Sequence, residues 1–263
     1  LKGRATRITI DLDPTDYPTH GQQELTFFNR HYDTACYLPI VATVTFNDEP
    51  AQYAVAAVLR PGNAPATRGA RGPCGGCWPK LRAAFRGATY RVRLDGGFAH
   101  PKLFQFLEQQ QVEYVVAMAS NARLEKRARR LMGKARMQSK ASGQTAHLYG
   151  ETRYAARSWK RKRRVIIKAE VVRHPGRDPK NNPRFVVDNL YASPRHLYEA
   201  IYCARGDVEN RTKELHHGLE IERTSCTRFL ANQLRGLLTA AAYVLYQELR
   251  LRAARTDRLP ARS

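Results

Sequence analysis

The stretch Tyr202–Gly218, "YCARGDVENRTKELHHG", gathers five groups able to handle protons or phosphates. Its pattern predicts a helix. At about 100° per residue, Tyr202, Arg205, Glu209, Lys213 and His216 share a stripe about 80° wide. Leu197, Ile201, Ala204, Val208 and Leu215 make a separate apolar stripe beside it, the seam that docks such a helix on a core.

Upstream, "RITIDLD" alternates, with Ile8, Ile10 and Leu12 on one face and Thr9, Asp11 and Asp13 on the other, which predicts a strand. "CYLPIVATVTF" and "AQYAVAAVL" read as two more strands, joined as a hairpin through "NDEP". "RPGNAPATRGARGPCGG" reads as a loop, "WPKLRAAFRG" and "HPKLFQFLEQQQ" as helices, and "TYRVRLD" and "VEYVVAMAS" as strands. Strands followed by alternating helix and strand predict an α/β domain with a mixed sheet. The alternation stops near Ala122. Residues 123–184 read as an insertion with its own strand, "RRVIIKAEVV", expected outside the central sheet. Residues 1–122 and 185–254 are then the two parts of one core. In the second, Ser193 is the expected cap and Pro194 the first position of a helix. Residues 255–263 read as a disordered basic tail.

The chain has 45 Lys and Arg against 23 Asp and Glu, a net charge of +22. Between Arg123 and Arg184 stand 20 basic and 4 acidic residues, so this segment supplies most of the excess. A nucleic-acid partner is the first inference. A membrane surface fits less well, because "NARLEKRARRLMGKARMQSKASG" is poor in bulky apolar anchors. No apolar run is long enough to span a bilayer, and no signal pattern opens the chain. A cytoplasmic location follows, nucleoid-associated in a bacterium. Leu1 at the first position predicts a processed or partial chain. The five cysteines are irregularly spaced, which argues against a disulfide framework. Cys74 and Cys77 in "CGGC" read as incidental thiols of a loop. Trp159 beside "KRKRR" reads first as packing and second as a base-stacking surface.

Asp13 closes the first strand, Asp95 the fourth, and Glu209 stands on the late helix. Carboxylates at strand ends and on a covering helix can converge from distant sequence positions. A dry cluster of three would repel itself. A divalent ion removes that repulsion, and Mg²⁺ favours a few carboxylates, water and phosphate.

Tyr202, Arg205 and Glu209 form Y-x2-R-x3-E, which closely resembles the signature of DDE insertion-sequence transposases. "LDPTDYPTHGQQE", "LRPGN", "RLDGGFA", "RGDVENRTKELHHG" and "TSCTRFLANQLRGLLTAAAYVL" resemble one subgroup, so the similarity covers nearly the whole chain. The resemblance implies an RNase H-like core. That is a five-stranded mixed sheet flanked by helices, with a basic, strand-containing insertion before the last catalytic helix. It implies a metal-dependent phosphoryl transferase that cuts DNA at transposon ends and joins it to target DNA. Asp13, Asp95 and Glu209 would bind two Mg²⁺ ions, with Mn²⁺ as the alternative metal. Asp11 contends with Asp13 for the first position; the D-x-T context favours Asp13. Tyr202, Arg205, Lys213 and His216 would contact DNA, as would Lys160, Arg161, Lys162, Arg163 and Arg164 of the insertion. The family has Lys where this chain has His216. The partners implied are double-stranded DNA and a second copy of the chain on it, with no membrane. An N-terminal DNA-end-binding region is expected to be missing. A metal-dependent nuclease of the same core and an inactive DNA-binding remnant are the alternatives.

Overall fold

The computed structural model describes residues 4–47, 49–65, 67–68 and 71–256, the side chains of 71–77 and 254–256 excepted. The chain divides into two compact units, residues 1–88 with 206–263, and residues 89–205. These boundaries differ from those expected at 122 and 184. Cys74, Cys77, Asp48 of the expected turn and the tail from 257 onward lie outside the described residues or side chains. Among the described residues no helix is long and apolar enough to cross a membrane.

In the first unit, β1 (Arg7–Pro14) pairs antiparallel with β5 (Ile40–Phe46), which pairs antiparallel with β6 (Gln52–Val58). A small second sheet orders β2 (Tyr17–Pro18), β4 (Thr34–Tyr37) and β3 (Phe27–Asn29). The single strand expected over "CYLPIVATVTF" is therefore two, parted at Leu38–Pro39. Pro39 has no N–H for a ladder, and its carbonyl instead accepts from Thr15 N at 3.2 Å. The polar face of β1 is covered as well as the apolar one: Thr9 and Asp11 are buried, and so are Thr43 and Thr45 opposite them. Helix α1 (Arg71–Ala84) starts earlier than "WPKLRAAF" and takes in part of the expected loop.

The core of this unit joins Tyr37, Val41, Ala57 and Leu59 to Leu215, Ile221 and Tyr243 from the returning segment. Helix α6 (Phe229–Thr256) closes it. The Gln233 side chain completes the edge of β6, accepting from Leu59 N at 2.6 Å and donating to Ala57 O at 3.2 Å. Glu24 accepts from Phe229 N at 2.9 Å, meeting an N–H that the first turn of a helix leaves unpaired. Asn232 bonds Cys226 through both amide atoms. Glu24 of "HGQQE" thus latches the start of α6, and Asn232 and Gln233 of "LANQ" tie its first turns to Cys226 and β6. "LRPGN" is a second latch. Buried Arg60 donates to the carbonyls of Leu38, Pro65 and Arg68.

The second unit holds β7 (Thr89–Leu94) parallel to β8 (Glu113–Met118), with α2 (Pro101–Gln109) as the crossover. Antiparallel pairs then join β8 to β12 (Arg184–Asp188) and β12 to β10 (Arg163–Val172). β10 also pairs with β9 (Ala146–Tyr154) and with β11 (Lys180–Asn181). The architecture is mixed α/β, as expected. It has more strands than the five expected, because the basic segment is hydrogen-bonded into the sheet of β8 and β12 instead of standing outside it. Helix α3 (Ala122–Ser142) packs on β9 and β10, capped by Asn121 and by Gly143 at φ 69°.

The helical stretch read over 202–218 is not uniform. An α turn α4 (Pro194–His196), capped by Ser193, passes into wide π-type turns at Leu197–Tyr202 and a tight 3-10 turn at Cys203–Arg205, all in the second unit. In the first unit α5 (Gly206–Lys213) gives way to another wide turn at Glu214–Gly218. Counting at a constant pitch therefore fails here, and Gly206 marks the change with a residue that favours no helix. The apolar seam survives: Leu197, Ile201, Val208 and Leu215 are buried.

A Cβ on Gly62 would overlap the Cys36 carbonyl and crowd the Phe27 backbone at 2.8 Å. Gly62→Ala should lower stability by about 1–3 kcal/mol, read as a lower urea midpoint.

Candidate active site

Asp13 stands half-buried at the end of β1, where its neighbour in the ladder is Val41. Its Oδ2 accepts a hydrogen bond from Thr212 Oγ1 at 3.2 Å. Thr212 lies three residues after Glu209 on α5, so the two are neighbours one turn apart. The end of β1 and the Glu209 turn of α5 are thereby tied together within the first unit, and Glu209 is exposed. Thr212 was missed in the sequence; the i, i+3 spacing from Glu209 was the signal. Asp11 is fully buried, with Gln52 Nε2 donating to it at 3.5 Å. That burial sets it apart from Asp13, the more accessible of the two acids.

Asp95 belongs to the second unit. It follows β7 and caps the short turn Gly96–Phe98, its Oδ1 accepting from Gly97 N at 2.9 Å. Arg93, buried two residues earlier, donates to Ile201 O at 3.2 Å and so anchors the helical stretch that carries Tyr202. Burial raises the Tyr202 phenol above its ordinary value; Arg205 opposes this and Asp95 adds to it. The second unit therefore keeps Asp95, Tyr202 and Arg205 within electrostatic reach of one another. Tyr202 lines a cavity of about 320 Å³ with Lys168, Asn182, Arg184 and Tyr198. Arg205 is buried, at 9% exposure, less available to a phosphate than the sequence suggested.

Lys213 is exposed. His216 is not a free cation. Its Nε2 meets Thr15 Oγ1 at 3.3 Å, its Nδ1 meets Glu222 at 3.2 Å, and Tyr17 packs edge-on at 5.4 Å. Of the run Lys160–Arg164, only Lys160 and Lys162 face solvent without an ion pair among the described residues. Arg161 pairs with Glu108 at 2.5 Å. Arg163 bonds the same carboxylate twice and lies over Phe104 and Trp159. Arg164 holds Glu151, Asp188 and the carbonyls of Leu190 and Ala192. Burial pushes the Asp188 carboxyl up to about 6, against the pull of Arg164. Trp159 is buried against Phe104 and Tyr154, the packing role.

Among the described residues no group of three or more His, Cys, Asp or Glu side chains could hold a metal ion. Asp13, Glu209 and Asp95 each offer only oxygen donors, the kind Mg²⁺ and Mn²⁺ take.

Burial lowers the pKa of His216, with Glu222 and Asp16 opposing and His217 adding. Below its ordinary value near 6.5, the unfolded chain binds a proton that the folded chain resists. Stability therefore falls as pH drops through that window. His216→Gln should lose less stability than the parent between pH 7.5 and pH 5.5, read by urea unfolding at the two values.

No curated protein matches the chain. Among solved structures, a cryo-EM structure of the piggyBac transposase synaptic complex with hairpin DNA is similar at TM-score 0.51 and 14% identity. The match covers 97% of this chain and 49% of that one, so this chain spans about half its length. It shows a shared fold. The family model for the transposase DDE domain, group 1, matches residues 2–261, nearly the whole sequence, and the chain belongs to that family of DDE transposases.

Proposed function

We propose that this chain is the catalytic domain of a DDE transposase that cuts DNA at transposon ends and joins the freed 3′-hydroxyl to target DNA. The observation that carries the reading is the Thr212–Asp13 hydrogen bond, which holds the first acid beside the turn of α5 that presents Glu209. Asp13, Asp95 and Glu209 are the acids of the triad in this reading, and they would hold Mg²⁺ or Mn²⁺, two ions in the full site. The metal supplies Lewis acidity to the phosphodiester and neutralises charge on its oxygens.

The chain's own residues do the rest. Thr212 fixes the rotamer of Asp13, and the Gly97 N–H fixes that of Asp95. Tyr202 and Lys213 contact the phosphates of the cut end. Arg205, buried beside Tyr202, lends that region positive charge. Lys160 and Lys162 add backbone contacts. His216 holds the β1–β2 turn through Thr15 and leaves phosphate contact to Lys213. The partner is double-stranded DNA. Self-association on it belongs to the reading: Leu230, Leu234, Leu238 and Leu245 of α6 are exposed, an apolar surface of the kind that interfaces use. The place of action is where DNA lies, the cytoplasm or nucleoid in a bacterium.

A second reading, an inactive DNA-binding remnant, draws on His216, which stands at the family's Lys position and is bound into the fold. Nicking of supercoiled plasmid with Mg²⁺ decides. The parent is expected to nick, and a parent that binds but never nicks is the remnant. A parent that nicks but fails to join a 3′-hydroxyl duplex to a target plasmid is a nuclease. Glu209→Gln and Asp95→Asn each keep size and lose charge, so each should abolish nicking while leaving duplex affinity within about twofold. Parental nicking by either variant removes that acid from the triad.

A further inference from the structure

We propose that α3 lies in the major groove of duplex DNA, with two rows of cations reaching the phosphate backbones on either side. The inference rests on the DNA-processing reading and locates the duplex on one helix of the second unit. Leu124, Ala128, Met132, Ala135 and Ser139 are buried, which fixes one face of α3 on β9 and β10. Everything basic faces the other way. Arg123, Lys126, Arg127, Arg129, Arg130, Lys134, Arg136 and Lys140 are all exposed. Glu125 is the helix's one acid, and Ser120 Oγ donates to it at 2.7 Å. Among the described residues none of the eight cations has an ion pair; Arg127 donates to Thr152 Oγ1 at 3.0 Å.

This separates α3 from the run Lys160–Arg164, where three of the five cations are spent on Glu108, Glu151 and Asp188. Eight unspent cations over about 25 Å of a capped helix form a surface built for a polyanion.

Their angular placement selects the kind of polyanion. At about 100° per residue, Arg123, Arg127, Arg130 and Lys134 form one row, and Arg129, Arg136 and Lys140 another, about 130° away. The crest between them carries Lys126, Gly133 and Met137. A helix lying along one backbone needs one row. Two rows beside a crest suit a groove with a backbone on each flank, and the major groove, about 12 Å wide, admits an α-helix. Met137 is the one large apolar side chain well exposed on this face, too little to anchor in a bilayer.

The test uses the full chain and fluorescence anisotropy on a labelled duplex of arbitrary sequence across a salt series. One variant is R123Q/R127Q/R130Q/K134Q, the other R129Q/R136Q/K140Q; Gln keeps helix propensity close to that of Arg and Lys. A control, R30Q/R223Q/R228Q, removes three cations elsewhere and so matches the second row variant in charge. Each row variant should lose at least tenfold in affinity. The slope of log affinity on log salt should fall by about 0.9 per lost contact, and the control should stay within about twofold of the parent. Parental slopes in both row variants overturn the proposal and leave the DNA reading standing. A loss confined to one row overturns the groove placement. Equal affinity for single strands with the same row dependence overturns the duplex, and binding to phosphatidylserine vesicles in place of DNA overturns the partner. A parent that binds no duplex takes down the proposal and the DNA reading together.

Discussion

The first unit depends on one constraint: residues 206–256 must close a core whose other half was laid down before residue 88. Apolar burial supplies the drive, with Leu215, Ile221 and Tyr243 joining Tyr37, Val41 and Leu59. Burial alone does not choose a register. Gln233 does, by occupying the open edge of β6 with an amide that copies a backbone pair. Glu24 and Asn232 then fix where α6 begins. With α6 and the preceding turns fixed, α5 is held against β1, where Thr212 meets Asp13. Asp13 and the turn of α5 that carries Glu209 are thus held together by groups distant from both in sequence.

Charge in this protein falls into two economies. Some cations belong to the fold: Arg60 gathers three carbonyls, Arg163 is locked to Glu108, and Arg164 staples Asp188 to the following turn. These are buried or partly buried guanidiniums, where a planar fork satisfies several acceptors at once. Others, above all those of α3, have no ion pair among the described residues and are exposed. Net charge cannot distinguish the two sets. Only the first contributes to stability through specific bonds, and only the second is available to a polyanion.

The sequence by itself determined several of the elements and the family. Alternation in "RITIDLD" marked β1 because apolar residues recur every second position, and the "SP" pair marked the start of the late helix because its cap chemistry is local. The seam Leu197, Ile201, Val208 and Leu215 was legible for the same reason. Motif spacing pointed to the DDE transposase family, which the family model matches over residues 2–261, and Asp13, Asp95 and Glu209 are the acids proposed for it. What only the tertiary structure decided was partnership. Arg163 and Arg164 look like their neighbours until Glu108 and Asp188 arrive from distant elements. His216 looks like a substitute for a phosphate-binding lysine until Thr15 and Glu222 take its two nitrogens. The basic segment looks like an insertion until β10 bonds to β12. Pitch changes along Pro194–Gly218 were equally hidden, since wide and tight turns answer to packing on a sheet. Local sequence fixes backbone preference and pattern; a side chain's role is set by what lies within about 3 Å of it, and those atoms come from elsewhere in the chain.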